Sequence, residues 1–235
     1  MKKLISLELK RNSLKPYNIA VTIIMIVMLF FLYLLAAIPM IEQTESDMEM
    51  FLSYSSLIGM SNVVSMAIFS IMSAVLASKL IVEEYSGKKT ILLFSYPVER
   101  KKILDAKLFM VFLYTVGSMF ISCSIILIVF FITEKLFPLC PDMLNVKVIL
   151  NSFFSLLCYS CIAGLLGIIS LWFGFKKKSI AVTIIASCII ASIISQFLAT
   201  LFIFDYGVIG VLIVIFLIVM FVLVNLHHQV RKMEV

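Results

Sequence analysis

Long stretches without any charged residue dominate this sequence and restrict what it can fold into. Six runs of 25 to 29 consecutive residues contain no Asp, Glu, Lys or Arg, and the charges lie between them. A helix needs about 20 apolar residues to cross the hydrocarbon core of a bilayer. Only helices or closed barrels satisfy their backbone hydrogen bonds there. The runs therefore predict an all-α membrane protein with six transmembrane helices.

The composition agrees with this fold class. Of the 235 residues, 63% are hydrophobic and only 14% are charged, and the mean hydropathy is +1.18. Such a chain cannot cover itself with a soluble surface. We predict one transmembrane domain over residues 1–235, with spans at 17–38, 57–79, 106–132, 147–172, 179–203 and 207–226.

The basic residues predict an orientation. An even number of spans puts both termini on one side, and that side then carries 17 of the 19 Lys and Arg residues, leaving only Lys135 and Lys147 on the other. Because basic loops stay in the cytoplasm, we predict cytoplasmic termini and a multi-pass protein of the cell membrane. The same rule explains the net charge of +6, so nucleic acid is not predicted as a partner.

Residues 1–16 alternate leucine and isoleucine with lysine and arginine and end at Pro16. This pattern predicts a short amphipathic helix lying in the membrane interface. A solvated basic tail is the alternative. The apolar run that follows is too long for the core of a cleaved signal peptide, so the first span is expected to remain in the protein.

No catalytic or metal-binding residue is predicted. The Cys158-x-x-Cys161 pair lies within the fourth apolar run, where no His or acid is near, so both cysteines are expected to be packing residues. The Glu83-Glu84 pair lacks the arginine that intramembrane proteases carry four residues after the second glutamate, since position 88 is Lys.

An ATP-binding phosphate loop is not present either. The stretch Ser86 to Thr90 contains Gly87 and Lys88, but Val82 stands where the loop needs its first glycine and Lys89 where it needs a hydroxyl residue. The chain is therefore predicted to hold no cofactor of its own.

An ion-coupled secondary transporter is the alternative transport function. Such carriers usually hold an ionisable residue within a span, because the ion binds at membrane depth. The interiors of the six predicted spans contain none. Energy for uphill transport is therefore expected to come from another subunit.

Residues 83–102 combine both charge signs with an apolar run, which is the composition of a docking element with a polar rim. The apolar members are Ile91, Leu92, Leu93, Phe94, Tyr96 and Val98. The charged members are Glu83, Glu84, Lys88, Lys89, Glu99, Arg100, Lys101 and Lys102. Gly87 permits a turn and Pro97 ends any helix before it. Composition alone equally allows a helix that rests on the lipid.

The order of residues in this segment resembles the signature loop of the ABC type-2 exporter permease family. The matching residues are Glu84, Lys89, Thr90, Leu92, Leu93, Pro97, Arg100 and Lys107. One departure is that two lysines separate Gly87 from Thr90, whereas many members have Gly and Thr adjacent. The resemblance implies a coupling helix between spans 2 and 3 that docks into a separate ABC ATP-binding subunit.

The same resemblance implies the partners. A homodimer, or a heterodimer with a similar permease, would work with two ATP-binding subunits that carry ATP and Mg. The resemblance is closest to small bacterial permeases for toxin or antimicrobial peptides, including self-immunity exporters. Hydrophobic or amphipathic peptides are thus the expected cargo, with lipid, drug and polysaccharide as alternatives.

Small residues recur in the fourth and fifth spans and predict a helix-packing seam, because they let helices approach closely. These residues are Ser160, Ala163, Gly164, Gly167, Thr183, Ser187, Ala191, Ser195 and Ala199. The bulky aliphatic composition of the first, third and sixth spans predicts that these three helices face lipid.

Overall fold

The computed structural model describes residues 14–41, 53–85, 100–136, 145–200 and 207–232. These ranges contain no strand and form six helices, each long and apolar enough to cross a membrane. Their bounds are Lys15–Ile41 (α1), Tyr54–Tyr85 (α2), Arg100–Leu136 (α3), Val146–Lys177 (α4), Ile180–Thr200 (α5) and Gly207–Lys232 (α6). The predicted all-α fold with six membrane-spanning helices is confirmed.

Several helices extend well beyond the predicted spans, including the two that border the predicted coupling segment. α2 continues past residue 79 to Tyr85, and α3 begins at Arg100 rather than 106. At 1.5 Å per residue the 37 residues of α3 cover about 55 Å, whereas the hydrocarbon core is about 30 Å thick. The ends of α3 therefore project beyond the hydrocarbon.

Successive helices run in alternating directions, so one end of the bundle gathers the start of α1, α3 and α5 with the end of α2, α4 and α6. We call this the basic end, because Lys15, Lys79, Lys102, Lys176 and Lys177 lie there. The other end is called the opposite end. The predicted interface helix 1–16 lies outside the described residues except for its last three positions, 14–16.

α2 and α4 form the centre of the bundle. α4 contacts α2, α3, α5 and α6, and α2 contacts α1, α3, α4 and α5. Large apolar side chains on the outer faces of α1, α5 and α6 are exposed, as expected in lipid. The third span is half-buried against four neighbours instead of facing lipid alone, because bulky residues also fill the core beside α4.

Glycines permit the closest helix approaches. A Cβ on Gly167 of α4 would overlap the side chain of Ser73 on α2, and a Cβ on Gly174 would overlap Thr183 on α5. Ser187 of α5 also donates a hydrogen bond to the carbonyl oxygen of Ser70 on α2, at 3.1 Å. These contacts hold α2, α4 and α5 together through small side chains.

Candidate coupling site

The predicted coupling segment 83–102 is described only at its two ends. Glu83 and Glu84 lie in the last turn of α2, and Arg100 is the first residue of α3. Eight predicted site residues lie outside the described ranges: Gly87, Lys89, Thr90, Leu92, Leu93, Phe94, Tyr96 and Pro97. The geometry of the site therefore comes from the helix ends on either side of residues 86–99.

A buried ion pair joins these two helix ends. Lys107 of α3 donates to the Oε2 atom of Glu84 on α2. Lys107 is 1% exposed and Glu84 is 9% exposed. Two charges taken out of water are stable only when each has a partner. The pair therefore fixes the end of α2 against the start of α3, on the two sides of the predicted coupling segment.

Lys107 makes a second contact that reaches into a distorted turn of α2. Its Nζ atom donates to the carbonyl oxygen of Leu80 at 3.0 Å. Leu80 lies in the stretch Ser78–Val82, which has π-helical rather than α-helical hydrogen bonding. Single π turns within α-helices occur frequently at functional sites. One lysine thus ties together the π turn, the last turn of α2 and α3.

The depth of the ion pair follows from helix geometry. With Glu134 taken as the hydrocarbon boundary at the opposite end of α3, the roughly 20 residues that cross the hydrocarbon end near Tyr114. Lys107 lies seven residues further along α3, about 10 Å beyond that point. On this count we expect the ion pair at headgroup level rather than in the middle of the bilayer.

Two further contacts connect other helices at the basic end. The rings of Tyr85 on α2 and Phe175 on α4 lie 5.4 Å apart between centroids, with an interplanar angle of 59°. His227 of α6 is 2.6 Å from the carboxylate of Asp105 on α3, measured from Nε2 to Oδ1. A displacement of the ends of α2 and α3 would therefore also displace α4 and α6 through these two contacts.

A second buried carboxylate lies at the opposite end. Tyr54 of α2 donates its hydroxyl to Oε2 of Glu134 at 2.9 Å, and Glu134 is 2% exposed. Phe130 contacts the rings of both Tyr54 and Tyr33 edge-on, and Tyr33 is hydrogen-bonded to Thr133 at 2.6 Å. The helices α1, α2 and α3 are thus joined by polar and aromatic contacts at this end.

The predicted packing seam divides into buried and outer positions. Seven of its residues are buried between helices: Ser160, Ala163, Gly164, Gly167, Thr183, Ser187 and Ala191. Ser195 is half-buried and Ala199 is exposed. The four-residue repeat of α5 turns away from the bundle toward its C-terminal end, because a 3.6-residue helix drifts relative to a strict repeat of four.

The described residues contain no group of three His, Cys, Asp or Glu that could hold a metal ion. Cys158 and Cys161 lie one turn apart on α4, the first buried and the second half-buried. At the basic end the described residues instead form contacts between helices. These contacts link the two ends of a connecting segment to four helices through an ion pair, a ring contact and a histidine–aspartate contact.

The two buried carboxylates and the buried lysine were not predicted as a set. All three border the charge-free runs: Glu84 and Glu134 lie outside the predicted spans, and Lys107 is only the second residue of the third span. The helices extend further than the runs and carry these residues into the bundle. A usable signal was present, because Glu84 and Lys107 have opposite charges at the ends of consecutive spans and both belong to the signature loop.

Comparisons with known proteins place the sequence in a family. Residues 4–195 match the profile of the ABC-2 family transporter proteins. The uncharacterized protein YcbO of Bacillus subtilis strain 168 is 29% identical over 123 residues, which cover 52% of this chain and 54% of that protein. The match thus spans about half the length of this curated relative.

No solved structure matches the chain. The family match extends over most of the sequence and includes the first four helices, both ends of the coupling segment and most of α5. In this family the membrane component and the ATPase are separate subunits. The chain, a multi-pass membrane protein, belongs to the ABC-2 family of transporter proteins.

Proposed function

We propose that this chain is the permease subunit of an ATP-driven exporter in a bacterial cytoplasmic membrane. Two permease chains, identical or similar, work with two ABC ATP-binding subunits that carry ATP and Mg. The single observation that carries this proposal is the family match over residues 4–195. The 17-to-2 distribution of basic residues supports cytoplasmic termini, which would place the basic end on the side where ATP is available.

Coupling in this proposal runs through residues 83–102. The segment docks on the ATP-binding subunit, and its two ends are held to α2 and α3 by Glu84 and Lys107. Movement of the partner on ATP binding then shifts helix ends rather than a loose loop. Tyr85 carries the movement to α4 and Asp105 carries it to α6. Rigid helices that switch between two packings are a common basis of such transitions.

A hydrophobic or amphipathic peptide is the proposed cargo. The long apolar runs hold few groups that could bind a charged sugar or an ion, and the buried Glu84, Lys107 and Glu134 already have partners within the chain. A peptide with an apolar surface would replace lipid contacts without requiring charged ligands. Comparing the stimulation of ATP hydrolysis by peptide, drug, lipid and polysaccharide candidates tests the cargo class.

Co-purification of an ABC ATPase with the solubilised chain tests the proposed partner. We expect a stable complex that hydrolyses ATP, and negligible hydrolysis by the chain alone. Transport in vesicles driven only by a proton or sodium gradient, in the absence of the ATPase, would contradict the proposal and favour an ion-coupled carrier.

Substitutions within the segment test its role in docking. Interfaces are usually stabilised by a few apolar anchors, so Phe94→Ala or Tyr96→Ala should each weaken binding of the ATPase by about 2 kcal/mol. The control is Lys88→Ala, because charges at the rim contribute less. Glu84→Ala should lower cargo-stimulated hydrolysis more than binding. Normal ATPase binding and hydrolysis in all these variants would mean that the segment rests on lipid.

A further inference from the structure

A cleft of about 560 Å³ lies between α1 and α3 on the outside of the bundle. Its wall on α1 includes Asn18, Thr22 and Met25, and its wall on α3 extends from Leu113 to Ile125. Three residues at its rim, Leu113, Ile121 and Ile125, are 50%, 63% and 45% exposed. The cleft is therefore open sideways to the membrane.

The cleft has a polar end and an apolar end. At the end nearer Lys15, the hydroxyl of Tyr114 donates to Oδ1 of Asn18 at 2.6 Å, which bridges the two helices. Lys15 is exposed and lies one turn before Asn18 on the same face of α1. Toward the middle of the bilayer the walls are formed by apolar side chains such as Met25 and Ile125. The Asn18 amide thus lines the polar end of the cleft, and the exposed Lys15 side chain lies one helix turn further toward the basic end.

The length of the cleft matches one leaflet. From Leu113 to Ile125 the rise along α3 is about 18 Å, and half of the hydrocarbon core is about 15 Å. Tyr114 lies near the hydrocarbon boundary at the basic end, as counted from Glu134 above. The cleft therefore extends from headgroup level to about the midplane of the bilayer.

The dimensions of the cleft suit a hydrocarbon chain. A volume of about 560 Å³ along about 18 Å of α3 accommodates an extended chain, whose carbon atoms contact their neighbours at about 4 Å.

Gly117 has no side chain to occupy the cleft. A Cβ built on Gly117 meets no atom within 4 Å, so the glycine lies beside empty space at the wall of the cleft. Gly164 and Gly167 differ, because a Cβ there would press on a neighbouring helix. A larger side chain at position 117 would consequently project into the cleft rather than separate two helices.

We propose that this cleft binds one acyl chain of an anionic phospholipid from the leaflet at the basic end. The chain lies along Gly117 between α1 and α3, and the phosphate accepts hydrogen bonds from Lys15 and from the Asn18 amide. The basic and amide side chains at the opening and the one-leaflet length favour an anionic lipid as the occupant. The proposal does not depend on the ATP-driven transport proposed above.

The test uses the purified full chain in phosphatidylcholine vesicles that contain phosphatidylglycerol with a photoreactive diazirine in one acyl chain. In the wild-type protein we expect cross-links concentrated in the stretches 18–25 and 113–125. Phosphatidylcholine carrying the same diazirine should label these stretches less. Cross-links spread evenly over all lipid-facing helices would overturn the proposal, and this readout needs no variant.

Two glycine substitutions provide a matched pair. Gly117→Phe should remove labelling of the two stretches, whereas Gly210→Phe on α6, where a Cβ also meets nothing within 4 Å, should leave it unchanged. Lys15→Ala should reduce the preference for phosphatidylglycerol over phosphatidylcholine. Undiminished labelling of Gly117→Phe would overturn the assignment. Dissociation of a permease dimer by Gly117→Phe would also overturn it, because a second copy would then occupy this surface.

Discussion

Lys107 and Glu84 form a buried ion pair across the two helix ends that flank residues 86–99. The same lysine holds the carbonyl oxygen of Leu80 within the π turn of α2. A contact of this kind gives little net stability compared with apolar packing, but removing one partner is costly because the other charge stays buried. The pair therefore acts as a rigid connection between the helices on either side of the proposed coupling segment.

Removing the lysine should destabilise the protein strongly. We expect Lys107→Met to cost about 3 kcal/mol or more, since the Glu84 carboxylate loses its cation and the Leu80 carbonyl loses its donor. The measurement is unfolding of the purified protein in mixed detergent and dodecyl sulfate micelles. Combining Lys107→Met with Glu84→Gln should recover part of the loss, because no unpaired charge then remains.

Lys79→Met is the matched control for this experiment. Lys79 lies in the same π turn but is exposed, so its loss should change stability by less than about 0.5 kcal/mol. Equal effects of the two lysine substitutions would show that the ion pair has no special role in the fold.

The close approach of α2 and α4 at Gly167 predicts a second strong effect. A side chain at this position would overlap Ser73, so Gly167→Val should force the helices apart and cost about 1–3 kcal/mol. Gly210→Val, at a site facing open space on α6, serves as the comparison and should be nearly neutral. Thermal stability of the two variants in the same detergent measures the difference. Equal stability would mean that the two central helices can separate without cost.

The six spans were predicted from the charge-free runs alone, and the errors in the predicted helix ends have the same origin. Charge-free runs identify the hydrocarbon-spanning parts of helices, so the number of spans was correct. They carry no information on how far a helix continues into the headgroup region. The last turn of α2 with Glu84 and the first two turns of α3 before Lys107 were therefore missed.

The composition of the spans also did not predict which helices are buried and which face lipid. Side-chain size suggested that the third span faces lipid, yet α3 contacts α1, α2, α4 and α6. Small residues on α5 predicted a packing seam, and Thr183, Ser187 and Ala191 are buried, although most of α5 faces outward. In a membrane both lipid and protein neighbours are apolar, so hydrophobicity does not distinguish a lipid-facing side from a buried one.

The buried carboxylate at the opposite end predicts a measurable difference between two tyrosines. Tyr54→Phe removes the hydroxyl that donates to Glu134, which is 2% exposed, so the loss should be about 1.5–3 kcal/mol, as for hydrogen bonds to charged groups. Tyr33→Phe removes a bond between neutral hydroxyls and should cost only about 0.5–1.5 kcal/mol. Unfolding in mixed micelles compares them, and the reverse order would contradict the assigned contact.

The proposed orientation leads to a test by chemical labelling from outside the cell. Lys147 and Lys177 are exposed residues near the two ends of α4, and 17 of the 19 basic residues are predicted to be cytoplasmic because positive charge is retained on that side. In a variant without native cysteines, Lys147→Cys should react with a membrane-impermeant maleimide on intact cells. Lys177→Cys should react only after the cells are opened. The opposite pattern would place the basic end outside, away from cytoplasmic ATP, and the proposed coupling through Glu84 and Lys107 would then be untenable.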